Sequence, residues 1–272
     1  MNLLTPAEIT QAYIEAGAKK CARPTGKLLF LAVMAGLLIA FGGAVTNTAS
    51  HTVTNVGAAR TVSGLLFPFG LGMVVLLGAE LFTGNCMIPI SVLEKRATWA
   101  GMVRNWVLVY IGNFIGAAFL AAGCAFFGQL EYSSGALAVY TIKVAAAKCT
   151  LPFAGGVVLG FFCNVLVCMG VLCSLSAKDT TGRILGAYIP VAFFVICGFE
   201  HCVANMYYVP AGIFALQVPR YAQLSAEAGI NTAALTWPAF IIRNLLPVTI
   251  GNILGGACVG LTMRYAHLEK RS

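Results

Sequence analysis

Two short polar segments interrupt apolar stretches of this 272-residue chain and match each other 120 residues apart. The first spans residues 78–87 and the second residues 198–207, with glycine, glutamate and asparagine at equivalent positions. A carboxylate inside hydrocarbon is costly, so an acidic residue within a membrane-spanning stretch marks function or internal structure. Duplicated breaks in apolar helices are typical of transporters and channels built from two repeats, which meet near the middle of the membrane. The equivalent pairs are Gly78/Gly198, Glu80/Glu200 and Asn85/Asn205.

His201 is the residue of these segments that is best suited to proton chemistry. Histidine donates, accepts or relays a proton near neutral pH. One interpretation is a core histidine whose hydrogen bonds are all satisfied inside the protein. The chain has only three histidines, and this one lies in a break beside Glu200. That position favours a side chain that faces a pore.

Lys148 and Thr83 are the other two candidates for contact with a substrate. Lys148 ends an apolar run, and a fixed positive charge there would draw anions inward. The alternative is an interfacial lysine whose amine extends to water. The Thr83 hydroxyl lies in the first break, where it can bond to a passing anion, to His201 or to a loop carbonyl.

The acidic and amide residues of the breaks are interpreted as structural. Unwound backbone at membrane depth must find hydrogen-bond partners inside the protein. The residues expected to hold the broken helices together are Glu80, Asn85, Glu200 and Asn205.

Composition indicates an integral membrane protein. The chain is 59% hydrophobic and 10% charged, with a mean hydropathy of +0.87, whereas a soluble domain carries about 25% charged residues. The net charge of +8 is therefore attributed to loops rather than to nucleic-acid binding. The sequence contains no CxxC pair and no metal-ligand spacing, so we expect no disulfide, metal or cofactor.

Six apolar segments predict six transmembrane helices in an all-α fold. The first, residues 28–45, follows basic residues but is longer than the apolar core of a signal peptide. Residues 1–24 predict an amphipathic helix at the membrane interface, with Thr5 as its cap. Residues 25–272 then form one transmembrane pore domain. The remaining spans cover about 63–93 with a break at 80–85, 102–127, 153–175, 184–216 with a break at 200–205, and 238–263.

The basic residues predict that both termini are cytoplasmic, because positive charge concentrates on the cytoplasmic side. Twelve fall on one side of the six-span arrangement and five on the other. The cytoplasmic set is Lys19, Lys20, Arg23, Lys27, Lys95, Arg96, Arg104, Lys178, Arg183, Arg264, Lys270 and Arg271, and the outer set is Arg60, Lys143, Lys148, Arg220 and Arg243.

The duplication extends to the third and sixth spans. Arg104-Asn105 and the Gly112-Asn113-x-x-Gly116 step match Arg243-Asn244 and the Gly251-Asn252-x-x-Gly255 step, at an offset of 139. The additional 19 residues fit an insertion near 216–235. Each half has three spans, an odd number, so the two halves must run in opposite directions. The predicted inverted repeats cover about 25–128 and 150–266.

The two segments resemble the signatures of the formate/nitrite transporter family. Glu-Leu-Phe-Thr-Gly-Asn at 80–85 and Glu-His-x-Val-Ala-Asn-Met at 200–206 carry the resemblance, which spans nearly the whole chain and is strongest toward the hydrosulfide channel branch. It implies an aquaporin-like protomer, a homopentamer in a prokaryotic plasma (inner) membrane, and one pore per protomer for formate, nitrite or hydrosulfide. It also implies a pore histidine at His201, a lysine at Lys148 and two apolar constrictions around His201, formed by Phe67, Leu71, Phe82 and Phe194.

The leading hypothesis is therefore an anion channel, and two alternatives remain. An aquaporin-type water or glycerol channel has the same repeats, but neither break contains Asn-Pro-Ala. A membrane enzyme would use Glu80, Glu200 and His201, without any cofactor motif to support it. The expected partners are a small anion, membrane lipid and further copies of the chain.

Overall fold

The computed structural model describes residues 3–268 and is helical throughout its main elements, so the predicted all-α fold is confirmed. Six of its helices are long and apolar enough to cross a membrane. Lys270 and Arg271 lie outside the described residues. The helices are α1 (Pro6–Ala22), α2 (Thr25–Ser50), α3 (Val56–Leu76), α4 (Phe82–Leu93), α5 (Trp99–Phe126), α6 (Ala136–Cys149), α7 (Phe153–Ser176), α8 (Thr180–Cys197), α9 (Cys202–Ala215), α10 (Pro219–Glu227) and α11 (Trp237–His267).

Two spans start earlier than their apolar segments because capping residues set the helix ends. The Asn55 side chain accepts a hydrogen bond from the Ala58 amide, so α3 begins at Val56 rather than near residue 63. Asp179 accepts from the Gly182 amide in the same way at the start of α8. A side-chain acceptor at this position satisfies an amide that has no partner within the helix.

The second and fifth spans are broken, as predicted, and each break occupies the first half of its polar segment. α3 ends at Leu76 and α4 begins at Phe82, while α8 ends at Cys197 and α9 begins at Cys202. Gly78 and Gly198 have φ values of +63° and +73°, a left-handed conformation that glycine adopts without a steric penalty. Residues 82–85 and 202–205 are already helical.

Helix α5 packs on α2, and helix α11 packs on α7. The Gly-x-x-x-Gly motifs of α5 and α11 allow these helices to approach closely. A side chain on Gly116 would overlap the carbonyl of Val33, and one on Gly255 would overlap the carbonyl of Phe161. The two contacts occupy equivalent places in the two halves of the chain. Helices that approach this closely tolerate only a hydrogen atom at the contact position.

Helix α1 is packed into the bundle along one side. Thr5 and Glu8 form the reciprocal cap that starts it. Tyr13 and Ile14 are buried, and the Tyr13 hydroxyl donates to the carbonyl of Gly84 at 2.6 Å. The expected interfacial helix therefore contacts the first polar segment directly.

Candidate functional site

The first break is held by a buried carboxylate and its donors. Glu80 is 1% exposed, and its Oε2 accepts hydrogen bonds from Asn85 Nδ2 at 2.8 Å and Lys20 Nζ at 2.9 Å. Arg23 Nη1 lies 3.5 Å from Oε1 of the same carboxylate. Asn85 Nδ2 also donates to Asn105 Oδ1 at 2.9 Å. The carboxylate is thus neutralised and hydrogen-bonded within the protein, which is the requirement for a buried charge.

The second break repeats this arrangement. Glu200 Oε2 accepts from Asn205 Nδ2 at 2.7 Å, and Lys148 Nζ donates to both carboxylate oxygens at 3.0 Å. Asn205 Nδ2 donates in turn to Asn244 Oδ1 at 2.7 Å. The structure therefore places all four residues expected at the helix breaks in two equivalent hydrogen-bond networks. The structure also pairs Lys148 with Glu200, and the Lys148 ammonium contacts both oxygens of the Glu200 carboxylate.

Two asparagines hold the unwound backbone of the breaks. Asn113 Oδ1 accepts from the Phe82 amide at 2.9 Å, and its Nδ2 donates to the carbonyl of the break's glutamate at 2.9 Å. Asn252 accepts from the Cys202 amide at 2.9 Å and donates to the glutamate carbonyl of the second break at 3.0 Å. These side chains supply the partners that broken helices need where water is excluded.

The duplicated contacts include α1 and α6, which lie outside the repeats inferred from the sequence. Asn105 Nδ2 donates to the Lys20 carbonyl at 3.3 Å, and Asn244 Nδ2 donates to the Lys148 carbonyl at 3.1 Å. The role of Lys20 was not inferred from the sequence. A signal for it exists, because Lys-Cys-x-x-Pro occurs at 20–24 and again at 148–152.

His201 joins the two breaks. Its Nδ1 accepts a hydrogen bond from the Ala204 amide at 3.0 Å and so caps α9. Its Nε2 lies 3.0 Å from the Thr83 hydroxyl oxygen, and the two residues are 3% and 0% exposed. A neutral imidazole has one acceptor nitrogen and one N–H. Because Nδ1 must be the acceptor, Nε2 carries the proton and donates to Thr83.

Two cavities approach this histidine–threonine pair. The larger, about 680 Å³, is lined by His201, Glu200 and Lys148, among others. The smaller, about 280 Å³, is lined by residues that include Glu80 and by Gly84, the neighbour of Thr83. The pair lies between the ends of the two cavities. Among residues 3–268, no group of three histidine, cysteine or acidic side chains is placed to hold a metal ion.

Aromatic side chains form the apolar end of the larger cavity. Phe67 and Phe194 both line it, and their rings meet edge to face with centroids 5.8 Å apart. The Phe194 ring also stacks on the imidazole of His201 at 5.8 Å. Both phenylalanines are buried. The larger cavity therefore has two apolar rings beside His201.

Leucines take the equivalent place at the smaller cavity. The family resemblance implied that Phe82 forms part of a constriction, and here the structure differs. Leu71 and Leu81 line the cavity. Phe82 lines neither cavity, because its ring packs edge-on against Trp106 and Tyr110. The backbone at Leu81 is extended, with φ −107° and ψ 126°, and successive side chains of an extended segment point in opposite directions.

Comparisons with known proteins agree with this architecture. Residues 7–266 match the family model described as formate/nitrite transporter. The chain is 37% identical to a probable formate transporter of Methanothermobacter thermautotrophicus, over 98% of both proteins. It is 35% identical to the formate channel FocA of Escherichia coli K12, over 99% of this chain and 96% of the relative.

Solved structures share the fold. A pentameric formate channel with formate bound aligns with a TM-score of 0.76 at 35% identity, over 89% of this chain and 96% of that one. A structure described as an FNT family ion channel aligns with a TM-score of 0.80 at 25% identity, over 96% and 98%. The predicted family is confirmed, and the hydrosulfide branch stays a prediction. This chain is a multi-pass membrane protein of a prokaryote and belongs to the formate/nitrite transporter family.

Proposed function

We propose that the chain forms a homopentameric channel for small monovalent anions of weak acids, namely formate, nitrite and hydrosulfide, with one pore in each protomer. Several relatives are named as formate channels, and a similar solved structure is described as pentameric with formate bound. The observation that carries the proposal is the 3.0 Å contact between His201 and Thr83, which joins two broken helices between two cavities.

We further propose that the larger cavity opens to the outside and the smaller one to the cytoplasm. Lys20 and Arg23 line the smaller cavity and belong to the more basic side of the chain. Lys143 and Lys148 line the larger one and belong to the less basic side. The positive-inside rule then places both termini in the cytoplasm.

In the proposed mechanism the apolar ends of the cavities oppose bare charge and His201 favours a neutral or hydrogen-bonded substrate. An ion must shed water to pass the rings of Phe67 and Phe194, and this dehydration is costly. A weak-acid anion avoids much of the cost when it takes up a proton. The Nε2–H of His201 and the hydroxyl of Thr83 are the polar groups that the substrate then meets.

The geometry favours His201 as a group that polarises the substrate rather than one that supplies its proton. Nδ1 is occupied by the Ala204 amide, so a neutral His201 that gave up its Nε2 proton would be left with none. Protonating Nδ1 first would break the cap of α9. We therefore propose that the anion takes up a proton from the surrounding solution in the cavity, while His201 and Thr83 hold the resulting acid between the two cavities.

Family membership argues against the two alternatives considered from the sequence. Members of this family are channels and transporters rather than enzymes. The aquaporin-type channel belongs to another family, and this chain matches the formate/nitrite transporter model over residues 7–266.

The test is flux through purified protein in liposomes. Formate, nitrite, hydrosulfide, chloride and water are compared in the same preparation, with protein-free liposomes as the control. We expect the three weak-acid anions to pass faster than chloride. Water flux without any weak-acid flux would contradict the proposal. The ranking of the three anions decides whether hydrosulfide is the preferred one.

A further inference from the structure

The larger cavity holds more positive charge than its carboxylate can neutralise. Glu200 is the only acidic residue among the described residues that line it. Lys148 donates both of its hydrogen bonds there to Glu200, so these two charges cancel locally. Arg60 and Lys143 line the same cavity. Within the part of the chain that the structure describes, neither of the two has an ion pair or a side-chain hydrogen bond.

Arg60 and Lys143 lie on the faces of two helices, α3 and α6, that line the cavity. On α3, Arg60 is one turn before Ser63 and two turns before Phe67, and all three line the cavity. On α6, Lys143 is one turn after Tyr140, which also lines it. Residues three or four positions apart share a helix face. The two charges therefore project from different walls toward one space.

Arg60 lies against the second break itself. A Cβ added at Gly198, the residue that ends α8, would lie 3.2 Å from Arg60 Nη1. The carbonyls at a helix end carry about half a negative charge, which attracts the guanidinium without neutralising it. The remaining charge is available to a ligand in the cavity, two residues from Glu200.

We propose that Arg60 and Lys143 form an anion-binding site at the entrance of the larger cavity, and that its preferred ligand is a small divalent oxyanion such as sulfate. The site rests on the proposed function in two respects: the cavity is taken as the entrance of the pore, and this entrance is taken to face the outside. Two cations on separate walls match a dianion better than a monovalent anion, because its two negative charges balance theirs and each cation can contact a different oxygen.

A dianion bound at this site stays in front of the apolar rings. The cost of removing an ion from water rises steeply with its charge, so a dianion does not pass Phe67 and Phe194 where a protonated weak acid does. Because the cavity is the shared entrance, bound sulfate competes with the monovalent substrate. The site therefore makes the channel sensitive to external divalent anions.

Binding is tested first, without reference to transport. The thermal unfolding midpoint of the purified full chain is measured in increasing sodium sulfate and in sodium chloride of matched ionic strength. A ligand that binds only the folded state raises the midpoint in a saturable way. We expect this rise in the parent and its loss in the Arg60→Gln/Lys143→Gln double variant. The control is Lys27→Gln/Arg96→Gln, which removes the same charge from exposed positions that do not line the cavity.

Inhibition of formate flux by external sulfate is measured second. We expect the half-inhibitory concentration to rise by about tenfold in the double variant, the effect of losing two solvent-screened ion pairs. If the double variant does not fold, Lys143→Gln alone is measured. Its half-inhibitory sulfate concentration must then exceed that of the parent, by less than the rise expected of the double variant. An equal response of parent and double variant to sulfate, or none in the parent, overturns the site. A parent that binds sulfate but carries none of the three weak-acid anions refutes the proposed function and leaves the site intact.

Discussion

The Nε2 of His201 and the hydroxyl oxygen of Thr83 are 3.0 Å apart, although the two residues are 118 positions apart in the chain. His201 is the N-cap of α9, and Thr83 lies in the first turn of α4. The contact exists because the first turns of α4 and α9 meet inside the protein, where both residues are buried. It places a hydroxyl and an imidazole N–H side by side, next to the ring of Phe194.

Replacing His201 tests the pore directly. We expect His201→Phe to reduce formate flux at least tenfold, because it removes the polar group between the apolar rings and the leucines. His201→Asn retains an N-cap for α9 but is too short to reach Thr83. Its flux should fall but keep the parent's dependence on pH between about 5 and 8, because the proton comes from the solution and not from His201. The measurement is liposome flux, with size-exclusion chromatography to verify the oligomer. Parent-like flux in His201→Phe would show that the pore runs elsewhere.

The Thr83 hydroxyl is tested by a matched pair of variants. Thr83→Ser preserves the hydroxyl next to His201 Nε2, and Thr83→Val preserves the shape without it. We expect Thr83→Ser to conduct formate near the parent rate and Thr83→Val to conduct several times more slowly. Thr83→Val leaves the Nε2–H without its acceptor, and an unmatched buried donor costs roughly 1–3 kcal/mol. Equal flux in the two variants would assign Thr83 to packing alone.

The Lys148–Glu200 pair should behave as a scaffold. We expect Glu200→Gln to lower the yield of folded oligomer, since it removes the partner of a largely buried ammonium. Lys148→Met combined with Glu200→Gln should recover part of the yield, because no unpaired charge remains. The yield is measured by fluorescence-detected size exclusion. Normal assembly of Glu200→Gln with altered anion selectivity would instead make the glutamate a pore residue.

Alanine variants of the two break glycines distinguish the effect of backbone strain from that of a side-chain clash. Gly78→Ala places a side chain in open space at a φ of +63°, whereas Gly198→Ala has a φ of +73° and also contacts Arg60. The left-handed conformation alone costs a non-glycine residue about 1–2 kcal/mol. We expect both variants to be less thermally stable than the parent and Gly198→Ala to be affected more. An equal loss would mean that Arg60 moves aside freely.

Leu81 and Phe82 are neighbours with different expected roles. Leu81→Ala should widen the end of the smaller cavity and increase chloride flux relative to formate. Phe82→Ala should leave that ratio unchanged and destabilise the protein by about 3–5 kcal/mol, because it empties a space against Trp106 and Tyr110. Thermal unfolding and the chloride-to-formate flux ratio are measured on both variants. A selectivity change in Phe82→Ala alone would reverse the assignment.

Much of the architecture follows from the sequence. The number of spans depends on apolar length, which is a local property. The partnership of Glu80 with Asn85, and of Glu200 with Asn205, joins residues five positions apart within one polar segment. Such short separations limit the conformations available, so the type and spacing of the residues already indicate the contact.

Other features of the site were decided only by the tertiary structure. Lys20 reaches Glu80 across 60 positions, and its charge alone cannot be distinguished from that of other cytoplasmic lysines. Whether Leu81 or Phe82 lines the cavity depends on which way one extended residue turns its side chain, and neighbouring helices determine that direction. The pairing of Lys148 with Glu200, which leaves Arg60 and Lys143 as the cavity's cations without an ion pair among residues 3–268, likewise depends on how the helices pack. Local composition predicts the elements, but long-range packing determines which side chains meet.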